Sequence, residues 1–162
     1  MTEGRARHPD LFWALADRWP LRWFPLVAEP TPKIPSTTRA LLRMRLDEPH
    51  LQGWAEVGDR AAQRFGARIA TQGPRRFYLP DRRALTWALR TWGEAAEERS
   101  ASFLVAVPPT SHATTDRVDD GGDWPGARPL VVAVDLASDG TPRSREILDG
   151  WTPPPEKLRR VW

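Results

Sequence analysis

Residues 75–93 read RRFYLPDRRALTWALRTWG, and the fold class turns on them. Arg75–Leu79 is a short run with an aromatic pair at its centre, which suits a strand. Pro80 and Asp81 then supply the chemistry of a helix start, and Gly93 that of a stop. Between them Leu85, Ala88, Leu89 and Trp92 fall on one helical face. A strand feeding directly into a helix is the building unit of an α/β domain. The neighbouring segments repeat the theme. Residues 51–57 read as a strand and residues 58–66 as a helix ending at Gly66. Residues 102–107, SFLVAV, read as a buried strand closed by Pro108 and Pro109. The expected fold is therefore α/β, a small mixed sheet with about four or five helices.

Further from this centre the signals differ in kind. Residues 10–19 suit a helix opened by Pro9 and Asp10 and stopped by Pro20, with Leu11, Phe12, Leu15 and Trp19 on its apolar face. Residues 21–27 look extended, and Pro25 suits an edge strand or an irregular segment. Residues 28–37, AEPTPKIPST, form a stiff linker through Pro30, Pro32 and Pro35. The expected organisation is an N-terminal helix and Pro-rich linker over 1–37, an α/β domain over 38–152, and a basic Pro-rich tail over 153–162. Residues 38–46 fit strand or helix. Residues 110–128 are a polar Gly- and Asp-rich loop with room for one helical turn. The run PLVVAVDLASD, 129–139, favours a strand on propensity, although its length and leading proline also permit a helix. Residues 143–151 read as a helix after the turn at Gly140–Pro142.

The chain has 162 residues, 40% of them hydrophobic, which is enough for one buried core. It has no cysteine, so disulfides, thiolate metal sites and thiol nucleophiles are excluded. The charged start MTEGRARHPD does not resemble a signal peptide, and no apolar run is long enough to span a membrane, so a cytoplasmic protein is expected. The pI is 10.1, but the net charge is only +3. Arginine accounts for every basic residue except Lys33 and Lys157, and its high pKa inflates the pI.

Few residues carry catalytic patterns. His8, His50 and His112 stand apart, with no metal-ligating spacing. His112 follows Ser111 directly, where the two side chains do not face each other, and no G-x-S-x-G elbow exists. The glycine pair Gly121–Gly122 sits in DDGGD, whose carboxylates would repel a phosphate. No cofactor is expected. Asp135, Asp139 and Glu146 lie close in sequence and could serve a metal-dependent nuclease, but no acid–x–lysine follows. Capping and ion pairing explain them more simply. In RRFYLPDRR, the arginines Arg75, Arg76, Arg82 and Arg83 flank Phe77 and Tyr78 and could meet a nucleic-acid backbone while a ring stacks. A strand with solvated ends and buried rings explains the same pattern.

The run PLVVAVDLASDGTPRSREILDGW, 129–151, has an apolar stretch ending in Asp135–Leu136, then a turn over 139–141. The run Arg143, Arg145, Glu146 follows and opens a final helix. With GWAEVGDRAAQRFGARI and RRFYLPDRRAL before it, this order over residues 51–151 resembles the C-terminal domain of AbiEi-type antitoxins and related winged-helix regulators. The resemblance implies a non-enzymatic regulatory protein of a phage-defence toxin–antitoxin system. Its partner would be a nucleotidyltransferase-like toxin or another protein, bound through Arg143, Arg145, Glu146 and Trp151. Family members usually carry an N-terminal winged helix that binds promoter DNA. The residues before 51 show no helix–turn–helix signal, so DNA binding is expected to be lost, supplied elsewhere, or encoded upstream of Met1. A DNA-binding regulator using its own basic patch and a metal-dependent nuclease are the alternatives.

Overall fold

The computed structural model describes residues 8–19 and 21–162. Helix α1 (His8–Asp17) is followed by strand β1 (Phe24–Leu26) and helix α2 (Ser36–Leu42). Strand β2 (Ala55–Val57) runs directly into α3 (Gly58–Arg64). Strand β3 (Arg75–Tyr78), α4 (Arg82–Trp92) and β4 (Phe103–Ala106) form a β–α–β unit. Helices α5 (Pro129–Asp139) and α6 (Pro142–Gly150) complete the fold. The sheet order is β1-β4-β3-β2; β3 and β4 run parallel, and the outer strands pair antiparallel. This is the expected single α/β domain with a mixed sheet, and its described residues form six α-helices.

Local chemistry sets the central unit. The Asp81 carboxylate accepts a hydrogen bond from Ala84 N at 2.8 Å and caps α4, and Gly93 ends the helix at φ 75°. Alternation along β3 then divides the core. Phe77 faces α2 and α4 with Trp54, Trp92, Phe103 and Trp124. Tyr78 faces α1, α3, α5 and α6 with Ala55, Val57, Leu136 and Trp151. Both sheet edges are covered. Glu56 exchanges backbone hydrogen bonds with Pro125 and Ala127, and β1 meets Gly93–Ala95. Unpaired edge amides, a route to aggregation, are thereby hidden.

Several sequence expectations change. Residues 129–139 form helix α5, with Pro129 at its first turn and Gly140 left-handed at its end. Val132–Ala137 are all buried, because α1, α3, α6 and the sheet surround the helix. A helix covered on every side has no apolar stripe, so its β-branched composition reads as a strand. In α1 the buried face is Phe12 and Ala16, continued by Trp19 just beyond the helix, whereas Leu11 and Leu15 are 58% and 47% exposed. Residues 8–37 do not stand apart: α1 packs on α5, and β1 pairs with β4. The tail also returns. A 3-10 turn over Glu156–Val161 sets Trp162 on Phe12, with ring centroids 5.5 Å apart.

One buried cation pins the loop before β2. The Arg117 guanidinium donates to the carbonyls of Met44, Arg45, Glu48, Leu51 and Trp54. Burial and the neighbouring Arg45 lower its pKa to about 10. No helix among the described residues is long and apolar enough to cross a membrane.

Candidate functional site

Two adjoining clefts flank α6 and share Arg143 and Ile147 in their walls. The first, of about 300 Å³, lies between the start of α3 and the α5–α6 turn. Its polar wall is built by local capping. Thr141 caps α6, accepting from Ser144 N at 3.2 Å. Asp139 in turn accepts from the Ser144 hydroxyl at 2.6 Å and the Thr141 hydroxyl at 2.8 Å. Burial alone would raise the Asp139 pKa, but these hydroxyls and Arg76, whose Nη1 lies 3.4 Å away, hold it below the usual carboxylate value. Across the cleft Arg143 donates to the Ala70 carbonyl and to Asp59, the latter at 3.3 Å.

The second cleft, of about 380 Å³, lies between the outer side of α6 and residues 67–70. Ile69, Ile147 and Trp151 contribute its apolar surface, while Arg68, Arg143 and Glu146 stand around it. Arg143 and Glu146 therefore line one cleft. Arg145 does not line it: exposed on another side of α6, its guanidinium lies 4.8 Å from the centre of the Trp13 ring, on α1. Trp151 departs from the expectation of a surface anchor. It is 2% exposed, its indole N–H donates to the Phe65 carbonyl at 3.1 Å, and its ring belongs to the core. Its spacing from Ile147 and Leu148, four and three residues earlier, was the available sign of that buried face.

Beneath the first cleft lies a buried polar chain. Trp19 Nε1 donates to the Tyr78 hydroxyl at 3.1 Å, and that hydroxyl donates to Asp135 Oδ1 at 2.6 Å. Asp135 Oδ2 has no hydrogen-bond partner among the described residues. Burial raises the Asp135 pKa to about 6, against the opposing effects of Tyr78 and Arg76. Burial, and then the Asp135 charge, also push the Tyr78 hydroxyl well above its ordinary value.

The three nuclease candidates do not converge. Asp135 and Asp139 lie one turn apart on α5, the first enclosed beneath Tyr78 and the second in the first cleft, while Glu146 lines the second cleft. Among the described residues no three His, Cys, Asp or Glu side chains group to hold a metal ion.

The four candidate nucleic-acid arginines are also divided. Arg75 donates to the buried Glu56 at 2.8 Å and lies over the Phe77 and Phe103 rings. Arg76 lies over Trp23 and pairs with Asp139. Arg82 and Arg83 sit at the opposite end of β3, exposed, with no salt-bridge partner among the described residues. Seven residues of extended chain would separate Arg75 from Arg82 by roughly 20 Å.

Sequence reading missed the Glu56 network. Arg64 bridges Glu56 at 3.0 Å and Asp120 at 2.5 Å, fastening the acidic loop to the sheet edge. An acid flanked by apolar residues within a strand was the available signal. No family model matches this chain, and neither curated proteins nor solved structures offer a match.

Proposed function

We propose that this chain is a non-enzymatic regulatory domain acting by protein–protein contact, in the manner of the C-terminal domain of AbiEi-type antitoxins. The partner is a nucleotidyltransferase-like toxin or another cytoplasmic protein. The observation that carries this reading is the second cleft. Its apolar surface of Ile69 and Ile147 has Arg68, Arg143 and Glu146 around it. An apolar centre with a charged rim is the general anatomy of a protein interface. A partner side chain can fill the centre while oppositely charged groups fix its register.

The test is affinity capture of a partner from the native host with the wild-type chain and an Arg145→Glu, Glu146→Arg variant. A partner retained in near-equal amount by the wild type and lost by the variant supports the reading. Equal retention by both removes α6 from the interface. DNA binding is the second reading, and the exposed guanidiniums of Arg82 and Arg83, without a salt-bridge partner among the described residues, favour it. It requires binding that weakens steeply with salt and depends on those two residues.

A further inference from the structure

A third cleft lies at the end of the sheet where both parallel strands finish. Val107, Pro108 and Pro109 follow β4 directly, and Arg82, Leu85 and Thr86 belong to α4, which follows β3. Phe24 is the start of β1, and Arg22 lies just before it. That start reaches the same end because β1 is antiparallel to β4, with Phe24 opposite Val105.

The charge of this cleft sets it apart. Four other clefts of comparable kind each hold an acid in the wall, namely Asp59, Glu97, Glu146 and Asp47. This one holds Arg22 and Arg82 and no carboxylate. Neither arginine has a salt-bridge partner among the described residues. The nearby acid, Asp81, is engaged by Arg43 and by the α4 amide of Ala84. Two uncompensated guanidiniums in one concave wall favour an anion, and their planar forks match a phosphate or carboxylate. The remaining wall, Leu85, Val107 and Pro108, is apolar, and the Arg22 guanidinium lies 4.7 Å from the centre of the Phe24 ring. Such a wall takes the flat body of a ligand, and a guanidinium plane can stack on a base. The volume, about 460 Å³, suits a small molecule.

We propose that the cleft formed by Arg22, Phe24, Arg82, Leu85, Val107 and Pro108 binds a nucleoside phosphate, with Arg22 and Arg82 on the phosphate and the apolar wall against the base. The site is separate from the α6 clefts, so it stands or falls independently of the protein-contact reading.

Calorimetric titration of the full chain at low salt tests this. The probes are the common 5′-mononucleotides, the matching nucleosides, inorganic phosphate, a thymidine oligonucleotide and a peptide of Asp and Glu. At least one mononucleotide is expected to bind saturably and more tightly than its nucleoside or inorganic phosphate. Arg22→Gln and Arg82→Gln should each weaken it by at least about tenfold. Arg90→Gln, an exposed arginine at the far end of α4, should leave it unchanged. Both lining arginines are exposed, and circular dichroism of the variants verifies that the fold is intact. The proposal is overturned if no mononucleotide binds, if binding survives both substitutions, or if only the oligonucleotide or only the acidic peptide binds.

Discussion

The Tyr78 hydroxyl, on β3, donates a 2.6 Å hydrogen bond to the buried Asp135 carboxyl, on α5, and ties the sheet to the most enclosed helix of the fold. Burial raises the Asp135 pKa from 3.8 to about 6. The folded chain therefore holds a proton that the unfolded chain has already released. Stability from this group is present near pH 4 and is lost as pH rises through about 6, with a ceiling of roughly 3 kcal/mol. Asp135→Asn should flatten this part of the stability–pH curve and raise the melting temperature at pH 8. Thermal melts of both forms from pH 4 to pH 8 check it; parallel curves would show that Asp135 does not titrate in this window.

Tyr78→Phe removes the middle of the same chain. Trp19 Nε1 then loses its acceptor and Asp135 Oδ1 its donor, both in the core. The expected loss is about 2–4 kcal/mol, read by chemical denaturation. A loss below about 1 kcal/mol would mean that water satisfies these groups.

Arg117 makes a different kind of link, with one guanidinium serving five carbonyls of residues 44–54. Arg117→Met removes the side-chain donor of all five carbonyls, of which Met44, Arg45 and Glu48 keep a backbone partner, and should cost about 2–4 kcal/mol. Gly53→Ala should also destabilise, because its new Cβ would meet the Met44 carbonyl at 2.5 Å and the Arg117 guanidinium at 2.6 Å. Denaturant midpoints with unchanged slopes check both.

These links explain which parts of the fold were legible. The β3–α4 unit could be read because its signals are local: Asp81 at the cap, Gly93 at the end and apolar spacing between them. Helix α5 was ambiguous because tertiary packing hides its stripe. The α1 face was misread because Ala16, a small residue, is buried where the larger Leu15 is exposed. The candidate contacts Arg143, Arg145 and Glu146 could be placed on one helix from sequence, but the cleft that Arg143 and Glu146 border needs residues 67–70, more than seventy positions earlier. Pairings such as Trp19–Tyr78–Asp135 are set by topology and leave no trace in spacing.

The division of the basic residues has its own consequence. If DNA binds, Arg82→Gln with Arg83→Gln should weaken it and lower the salt slope by about 2, because each removed charge releases roughly one counterion fewer. Arg75→Gln should instead reduce stability, since it strips a partner from the buried Glu56. Filter binding at several salt concentrations, beside thermal melts, separates the two effects.

The protein-contact reading rests on α6. Arg145→Glu with Glu146→Arg changes exposed groups and one exposed cation–π contact, so it should cost less than about 1 kcal/mol of stability. The most direct measurement is quantitative affinity capture from the native host, comparing the wild-type chain with this folded double variant. One protein captured in near-equal amount by the wild type and lost by the variant is the expected result. A partner held equally by both, or none captured by either, would contradict the assignment of function to this face.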